Sequence, residues 1–321
     1  MTYATKTPPP DKLGRVLVLT TRKSFWASPE SEIFPHRVLT PSVHGHSTST
    51  FNTLLLAAKA VVALIRYRPK LVLFGSAHRL VPVFLLLRRY RILRRTRIVA
   101  TNQVFFGPRL GRYADRVIVY SRRETEGHEN YVYIPIPADG DFDSVIPHDE
   151  PEPYIFSGGW TLRDFASLFA AVDGTGIPVT VVTHSPKTLG VESDPPRECS
   201  VLWGMPLGRF LSYLSGSLLV VVPLQGTDAP HGHTTIAQAL CLGKAVVTTR
   251  GSGVADYVRD GVEGLLVDPG DVEGYRAAIL RLASDDEFRA ACEQAAWSRA
   301  PEFSYASFAR SLTALCAEVL A

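Results

Sequence analysis

Short β-branched runs alternate with longer stretches of helical spacing along most of this chain. Arg15–Thr20 (RVLVLT) is continuously apolar at its centre and predicts a buried strand. In Phe51–Tyr67, apolar residues at 54, 55, 58, 61, 62 and 65 follow the helical period. Lys70–Phe74 predicts a strand, Leu80–Tyr90 a helix, and Arg97–Thr101, Arg116–Tyr120 and Tyr131–Ile134 three more strands. A loop rich in Pro, Asp and Gly follows, from Pro135 to Pro153. The alternation then restarts. Strands are expected at Tyr154–Phe156, Pro178–Thr183, Ser200–Leu202, Leu218–Val222, Ala245–Thr249 and Gly264–Val267. Helices are expected at Asp164–Val172, Leu207–Leu214, Thr234–Leu242 and Val272–Ala283.

Unbroken apolar strands separated by helices belong to parallel sheets covered on both faces. Two such series imply an α/β protein of two Rossmann-like domains, with a ligand in the cleft between them. The expected division is a tail at 1–12, a first domain at 13–138 and a linker at 139–152. A second domain covers 153–302, and a terminal helix at 303–321 returns to the first. Asp139–Asp143 in the linker reads as a solvated hinge; Asp139 and Asp141 have metal-like spacing but no strand end behind them.

Composition sharpens this picture in one respect. With 46% hydrophobic and 20% charged residues among 321, the chain can build ordinary cores. The net charge of +3 hides an asymmetry. Residues 1–150 hold 22 Lys and Arg against 12 Asp and Glu, and the remainder holds 12 against 19, so the halves carry +10 and −7. Anionic surfaces or ligands are expected near the first half, unless the bias belongs only to solvated faces. Cys199, Cys241, Cys292 and Cys316 show neither CxxC nor metal spacing, which points to a reducing cytoplasm without disulfides or zinc. The first twelve residues have no apolar segment of a secretion signal, and no apolar run reaches about 18 residues.

The stretch Gly226–Val247 carries the clearest chemistry. A strand leads into a polar loop, Gly232 precedes a helix starting near Thr234, and the free N–H groups of such a start favour a phosphate. Thr234 and Thr235 add hydroxyls; the alternative is a Thr-capped helix with no ligand. From Gln238 onward, QALCLGKAVVTTRGSGVADYVRDGVEGLLVDPGDVEGYRAAI resembles the C-terminal signature of retaining glycosyltransferases of family 4. The resemblance covers roughly Gly232–Ile279. It implies the GT-B fold, two Rossmann-like domains with parallel sheets facing a central cleft, and a nucleotide-diphosphate sugar, UDP- or GDP-linked, as donor. No metal and no further cofactor are implied.

The chain departs from that signature at instructive places. The glutamate that contacts the donor ribose falls on Gln238, and an earlier glutamate falls near Pro230. The glycine of the helix start falls on His233, whose imidazolium would favour phosphate. Asp228 and His231 stand beside the vacated space. A second echo, Tyr154–Phe165 (YIFSGGWTLRDF), has Gly158 and Gly159 at the turn. Arg163 stands where the family's diphosphate-binding lysine belongs, and Gly159 replaces the arginine of the turn. Arg163 is therefore expected to clamp the leaving diphosphate; the plain alternative is a solvated Arg163–Asp164 pair at a helix start. In the third echo Gly204 allows backbone approach to the base, with Met205 and Trp203 as wall. His184, at a strand end, joins the donor-site candidates.

The first domain shares only the family's layout. Asn102 and Gln103 stand where a histidine is frequent, so His44, His46 and Asn102 are acceptor-site candidates, with His78 a candidate catalytic base. Six arginines between Arg88 and Arg97 beside an apolar helix suit an anionic lipid surface; nucleic acid is disfavoured because Tyr90 is the sole interleaved aromatic. The resulting expectation is a cytoplasmic glycosyltransferase, its basic segment meeting the inner face of the membrane. It would act on a glycan, a lipid-linked sugar or a small molecule, with retention through Arg163 and His233. The alternatives are an inverting enzyme with a histidine base and a catalytically idle nucleotide-binding scaffold.

Overall fold

The computed structural model describes residues 16–20, 36–39, 50–75, 78–101, 106–191, 194–226, 231–251 and 253–321. His44, His46, Asn102, Asp228 and Pro230 lie outside the described residues, as does the tail at 1–12. The chain divides into two compact units, Met1–Pro135 with Tyr305–Ala321, and Ile136–Ser304.

The first unit is built on a six-stranded parallel sheet in the order β2-β1-β3-β4-β5-β6. Its strands are β1 (Val16–Leu19), β2 (His36–Leu39), β3 (Leu71–Phe74), β4 (Arg97–Thr101), β5 (Arg116–Val119) and β6 (Tyr131–Tyr133). One face is covered by α1 (Thr50–Tyr67), α2 (Val81–Arg89) and the short α3 (Gly107–Gly111). There Leu56, Ala60 and Ala63 of α1 and Phe84 and Leu85 of α2 pack onto Leu17, Val72 and Ile98. The opposite face is closed by a helix from the far end of the chain. Phe308, Leu312, Leu315 and Cys316 of that helix, Tyr305–Leu320, lie against Val16, Val18, Leu71 and Val99.

The second unit repeats the plan, with the order β12-β11-β10-β7-β8-β9 and every pair parallel. The strands are β7 (Ile155–Gly158), β8 (Val179–Thr183), β9 (Cys199–Trp203), β10 (Leu219–Val222), β11 (Val246–Thr249) and β12 (Gly264–Val267). One face carries α4 (Phe165–Val172), the short α5 (Pro186–Leu189) and, later, α8 (Val272–Ser284). The other carries α6 (Leu207–Gly216) and α7 (His233–Cys241). α9 (Asp286–Arg299) completes the unit, and the terminal helix Tyr305–Leu320 is α10.

The segment expected to be a free linker is packed onto the second unit. Ala138 is buried and its N–H donates to the Phe303 carbonyl. The Ile136 N–H donates to the Tyr257 hydroxyl, and Leu211 fills the space a side chain at Gly140 would need. Apolar contacts and satisfied backbone groups hold this stretch, so the hinge reading of Asp139–Asp143 gives way to a docked strap. The Asp141 carboxylate accepts from Ser144. Among the described residues, no helix is long and apolar enough to cross a membrane. All four cysteines are free thiols, and burial pushes those of Cys199, Cys241 and Cys316 up to about 12.

Candidate functional site

Strand order decides where the second unit can bind a ligand. From β7 the chain moves outward through β8 and β9, then returns to the other flank of β7 as β10 and continues to β12. The loops leaving β7 and β10 therefore separate at a topological switch point, the place where α/β sheets bind ligands. Arg163 and Leu224 join these two loops through an isolated antiparallel bridge. The Asp164 N–H donates to the Pro223 carbonyl, and the Gln225 N–H to that of Leu162. Behind the bridge, Thr249 Oγ1 receives the Leu224 N–H at 2.6 Å and lies 2.5 Å from the Tyr275 hydroxyl. The two loops are held as one surface.

Arg163 sits in this surface at 7% exposure. Its Nε donates to the Gly158 carbonyl at 2.9 Å, Nη1 to the Thr161 carbonyl at 3.0 Å, and Nη2 to Thr235 Oγ1 at 3.1 Å. All three partners are neutral. Asp164, the adjacent acid, instead caps α4 through the N–H and hydroxyl of Ser167. The solvated Arg163–Asp164 pair is thereby replaced by a buried cation with no carboxylate partner among the described residues. Burial lowers its guanidinium to about 10, which leaves it charged at neutral pH. Gly159 makes the arrangement possible: its φ is +106°, and a Cβ there would lie 2.8 Å from the Arg163 Cζ. Gly158 is equally constrained, because the rings of Phe210 and Phe156 occupy the space beside its Cα.

On the β10 side, Gly232 is the N-cap of α7 with φ +79°. A side chain there would also press on Leu224 and Val222. The first intrahelical bond is the Ile236 N–H to the Gly232 carbonyl, so the N–H groups of His233, Thr234 and Thr235 have no intrahelical partner and are open among the described residues. Thr234 is exposed and Thr235 is buried with its hydroxyl on Arg163.

His233 differs from expectation. Its ring stacks on Tyr257 at 4.5 Å and 8°, deeply buried, and Nε2 has no partner among the described residues. Burial lowers its pKa to about 3, with His231 and Arg163 adding to the effect. His231 is lowered too, by burial and then by Arg163. The imidazolium expected from sequence is therefore a neutral imidazole, because the cation nearby and the loss of water both oppose protonation. This has a measurable consequence. A base whose folded pKa lies below its unfolded value binds fewer protons when folded, so its contribution is full above about 6.5 and declines as pH falls toward about 3. His233→Phe keeps the stack on Tyr257 and is expected to flatten the fall of melting temperature between pH 6.5 and 4. An unchanged pH profile would show that the imidazole is not held neutral.

Gln238 is also used differently. Its Nε2 donates to the Asp139 carbonyl at 2.8 Å and its side chain is buried. The amide ties the strap to α7, so a ribose contact here is left with Oε1 and the second Nε2 hydrogen. Met205 packs against the core of the second unit, as a wall would. Gly204 has φ +57° and donates its N–H to the Thr183 carbonyl, at the same sheet edge as the exposed His184. One residue was missed in the sequence: Trp160, 55% exposed, lies with its ring 6.0 Å from that of His184. An aromatic directly after a Gly-Gly turn at a strand end was the available signal. In the first unit, His78 opens the 3-10 turn His78–Leu80 beyond β3.

Known proteins match this arrangement at two levels. Residues 192–299 match the family described as "Glycosyl transferases group 1". The chain is 36% identical over 69 residues to the lipopolysaccharide core biosynthesis glycosyltransferase LpsE of Rhizobium meliloti (strain 1021); this is 22% of the chain and 20% of that protein. The aligned stretch is thus about a fifth of that relative's length. Among solved structures, a glycosyltransferase from Rickettsia africae ESF-5 aligns with a TM-score of 0.69 at 13% identity, covering 96% of this chain and 98% of that one. The Anabaena protein HepE, solved with UDP and glucose, aligns at 0.64 and 15% identity over 94% and 99%. The fold is the one expected: two α/β units with parallel sheets, of the GT-B type.

Proposed function

We propose that this chain is a glycosyltransferase that moves a sugar from a nucleotide-diphosphate sugar to an acceptor hydroxyl. The observation that carries the reading is Arg163, a buried cation bonded, among the described residues, to neutral groups only, beside the N–H groups at the start of α7 at the sheet's switch point. Buried charges are ordinarily paired, and a diphosphate supplies the missing anion. UDP- or GDP-sugar is the expected donor; HepE, with its bound UDP, supports the first.

In the retaining course, the bond from the anomeric carbon to the diphosphate oxygen breaks as the bond to the acceptor oxygen forms on the same face. The acceptor's proton passes to the departing phosphate oxygen, and the nucleoside diphosphate leaves. Arg163 and the α7 N–H groups stabilise the charge that grows on that oxygen. Neutral His233 offers a hydrogen bond rather than a charge. An inverting course would require a base from His44, His46 or His78. The replacement of both signature glutamates, at Pro230 and Gln238, favours as a second reading a nucleotide-binding protein without turnover. The acceptor is a glycan, a lipid-linked sugar or a small molecule, met in the cytoplasm, with Arg88–Arg97 at an anionic membrane surface.

Calorimetric titration with UDP, GDP and ADP, followed by transfer and donor-hydrolysis assays over a nucleotide-sugar panel, tests this. Binding of a nucleoside diphosphate with turnover and a retained anomer is expected. Binding without turnover on any acceptor would favour the idle reading, and an inverted product would favour the course with a histidine base.

A further inference from the structure

α1 is apolar on two opposite faces. Taking about 100° per residue, buried Leu56, Ala60 and Ala63 share one side, against the sheet. Leu54, Val61 and Ile65 fall within about 40° of one another on the other side, with Val62 beside them. Leu54 is 65% exposed and Ile65 72%. Helix α2, in the same layer, adds exposed Val83 and Leu86, and the turn after it adds Tyr90 and Ile92. Eight of the fifteen exposed large hydrophobics among the described residues lie on these two helices and that turn. A helix of a globular protein normally turns a polar face to water, and contiguous exposed apolar surface marks an interaction site.

The charge around this face has one sign. No Asp or Glu occurs from Ile33 to Ala114, whereas two lysines and twelve arginines do. Of these, Arg88 is tied to Asp115 and to the carbonyls of Leu93 and Thr96, and Arg97 also pairs with Asp115. Arg91, Arg94 and Arg95 are exposed in the turn beside Ile92, and Arg66 ends α1 beside Ile65. An apolar stripe flanked by cations that no carboxylate dilutes matches an anionic bilayer surface: acyl chains take the stripe and headgroups take the arginines.

We infer that the outer face of α1, continued by α2 and the Arg91–Arg95 turn, inserts shallowly into anionic lipid and docks the first unit on a membrane. This rests on the reading of Arg88–Arg97 given above and extends it from attraction to insertion, with α1 as the inserted element.

Vesicle sedimentation of the full-length protein separates the two. Phosphatidylcholine vesicles and vesicles with one-third phosphatidylglycerol are compared at low and high salt. Binding to the anionic vesicles alone, weakened by salt, is expected. Arg94→Glu/Arg95→Glu should lower the partition coefficient at least tenfold. Val62→Ser/Ile65→Ser, at positions that touch little, should also lower it at least fivefold with an unchanged melting temperature. Ile65→Trp should show a blue-shifted emission when vesicles are added. If only the charge variant loses binding and Ile65→Trp does not shift, insertion is overturned while the electrostatic reading survives. If the wild-type protein ignores anionic vesicles, both fail. A lipid-free dimer that Val62→Ser/Ile65→Ser converts to monomer would make the face a self-interface and overturn the proposal. Calorimetric nucleotide binding by the second unit should be the same in every variant.

Discussion

Arg163→Ala is expected to weaken nucleoside-diphosphate binding by about 10- to 100-fold, because hydrogen bonds to charged groups contribute about 1.5–3 kcal/mol and each 1.4 kcal/mol is tenfold. Transfer should fall further than binding, since charge on the diphosphate grows as the sugar leaves. The nucleoside without phosphates should bind as weakly to the wild type as to the variant. Arg163→Lys should recover only part of the loss: an ammonium cannot reach the Gly158 carbonyl, the Thr161 carbonyl and Thr235 together. Gly159→Ala supplies a control that leaves the guanidinium in place chemically but not spatially. The added methyl meets the Arg163 guanidinium at a backbone conformation with positive φ. Its affinity should drop toward that of Arg163→Ala with the fold retained. Unchanged UDP and GDP affinity in Arg163→Ala would remove the assigned diphosphate site.

The largest stability effect is expected at Glu263. Its carboxylate is fully buried. It accepts from the Arg259 N–H at 2.8 Å and Nε at 2.9 Å, also from Arg259 Nη2, and lies 3.5 Å from Arg299 Nη1. Burial pushes its pKa up, but the Arg259 bonds and the Arg299 charge outweigh that and hold it below the ordinary glutamate value. Removing one partner of a buried ion pair costs about 3–5 kcal/mol. Arg259 is half exposed and can return to water, so Glu263→Ala should cost about 3 kcal/mol, the low end. That corresponds to a fall of roughly 6–12 °C in the melting temperature of a unit this size. The sign with pH follows from the lowered pKa: the contribution is full above the unfolded value near 4.3 and is lost as pH falls through the folded one. Thermal melts of wild type and variant should therefore converge in acid.

The effect would also reach the site. Arg299 donates to the carbonyls of Tyr257 and Asp256, and Tyr257 stacks on His233 at the start of α7. Loosening Glu263 frees the loop that carries Tyr257. A modest loss of nucleotide affinity should accompany the loss of stability.

What was legible in the sequence had a local cause. Runs such as Val246–Thr249 and Leu219–Val222 declare buried strands because both of their faces are covered. Gly232 stood out by its place before a helix, whereas Gly158, Gly159 and Arg163 stood out through the family resemblance. β2 escaped because HRVL is only four residues long, begins with His-Arg and stands between Pro35 and Pro41, and α9 because its exposed, weakly patterned sequence has no continuous stripe. The site's electrostatics were not legible for a different reason. Whether Arg163 meets a carboxylate depends on Asp164 turning to cap α4, and whether His233 is charged depends on its burial, which includes the stack on Tyr257, and on Arg163, 70 positions away. Gln238 reads as a ribose ligand until the strap at Asp139 comes into contact with it. Type and spacing identify candidates; partners distant in the chain decide their state.

The two units are not consecutive along the chain: the second is inserted between Pro135 and Tyr305 of the first. Domains ordinarily complete themselves in the order of synthesis. Here the first sheet keeps Val16, Val18, Leu71 and Val99 uncovered until Phe308, Leu312 and Leu315 have been made. The unit whose strands are made first is thus the second to be completed. During translation an apolar sheet face waits while residues 136–304 emerge, so loss of the helix Tyr305–Leu320 is expected to expose the first sheet rather than the second.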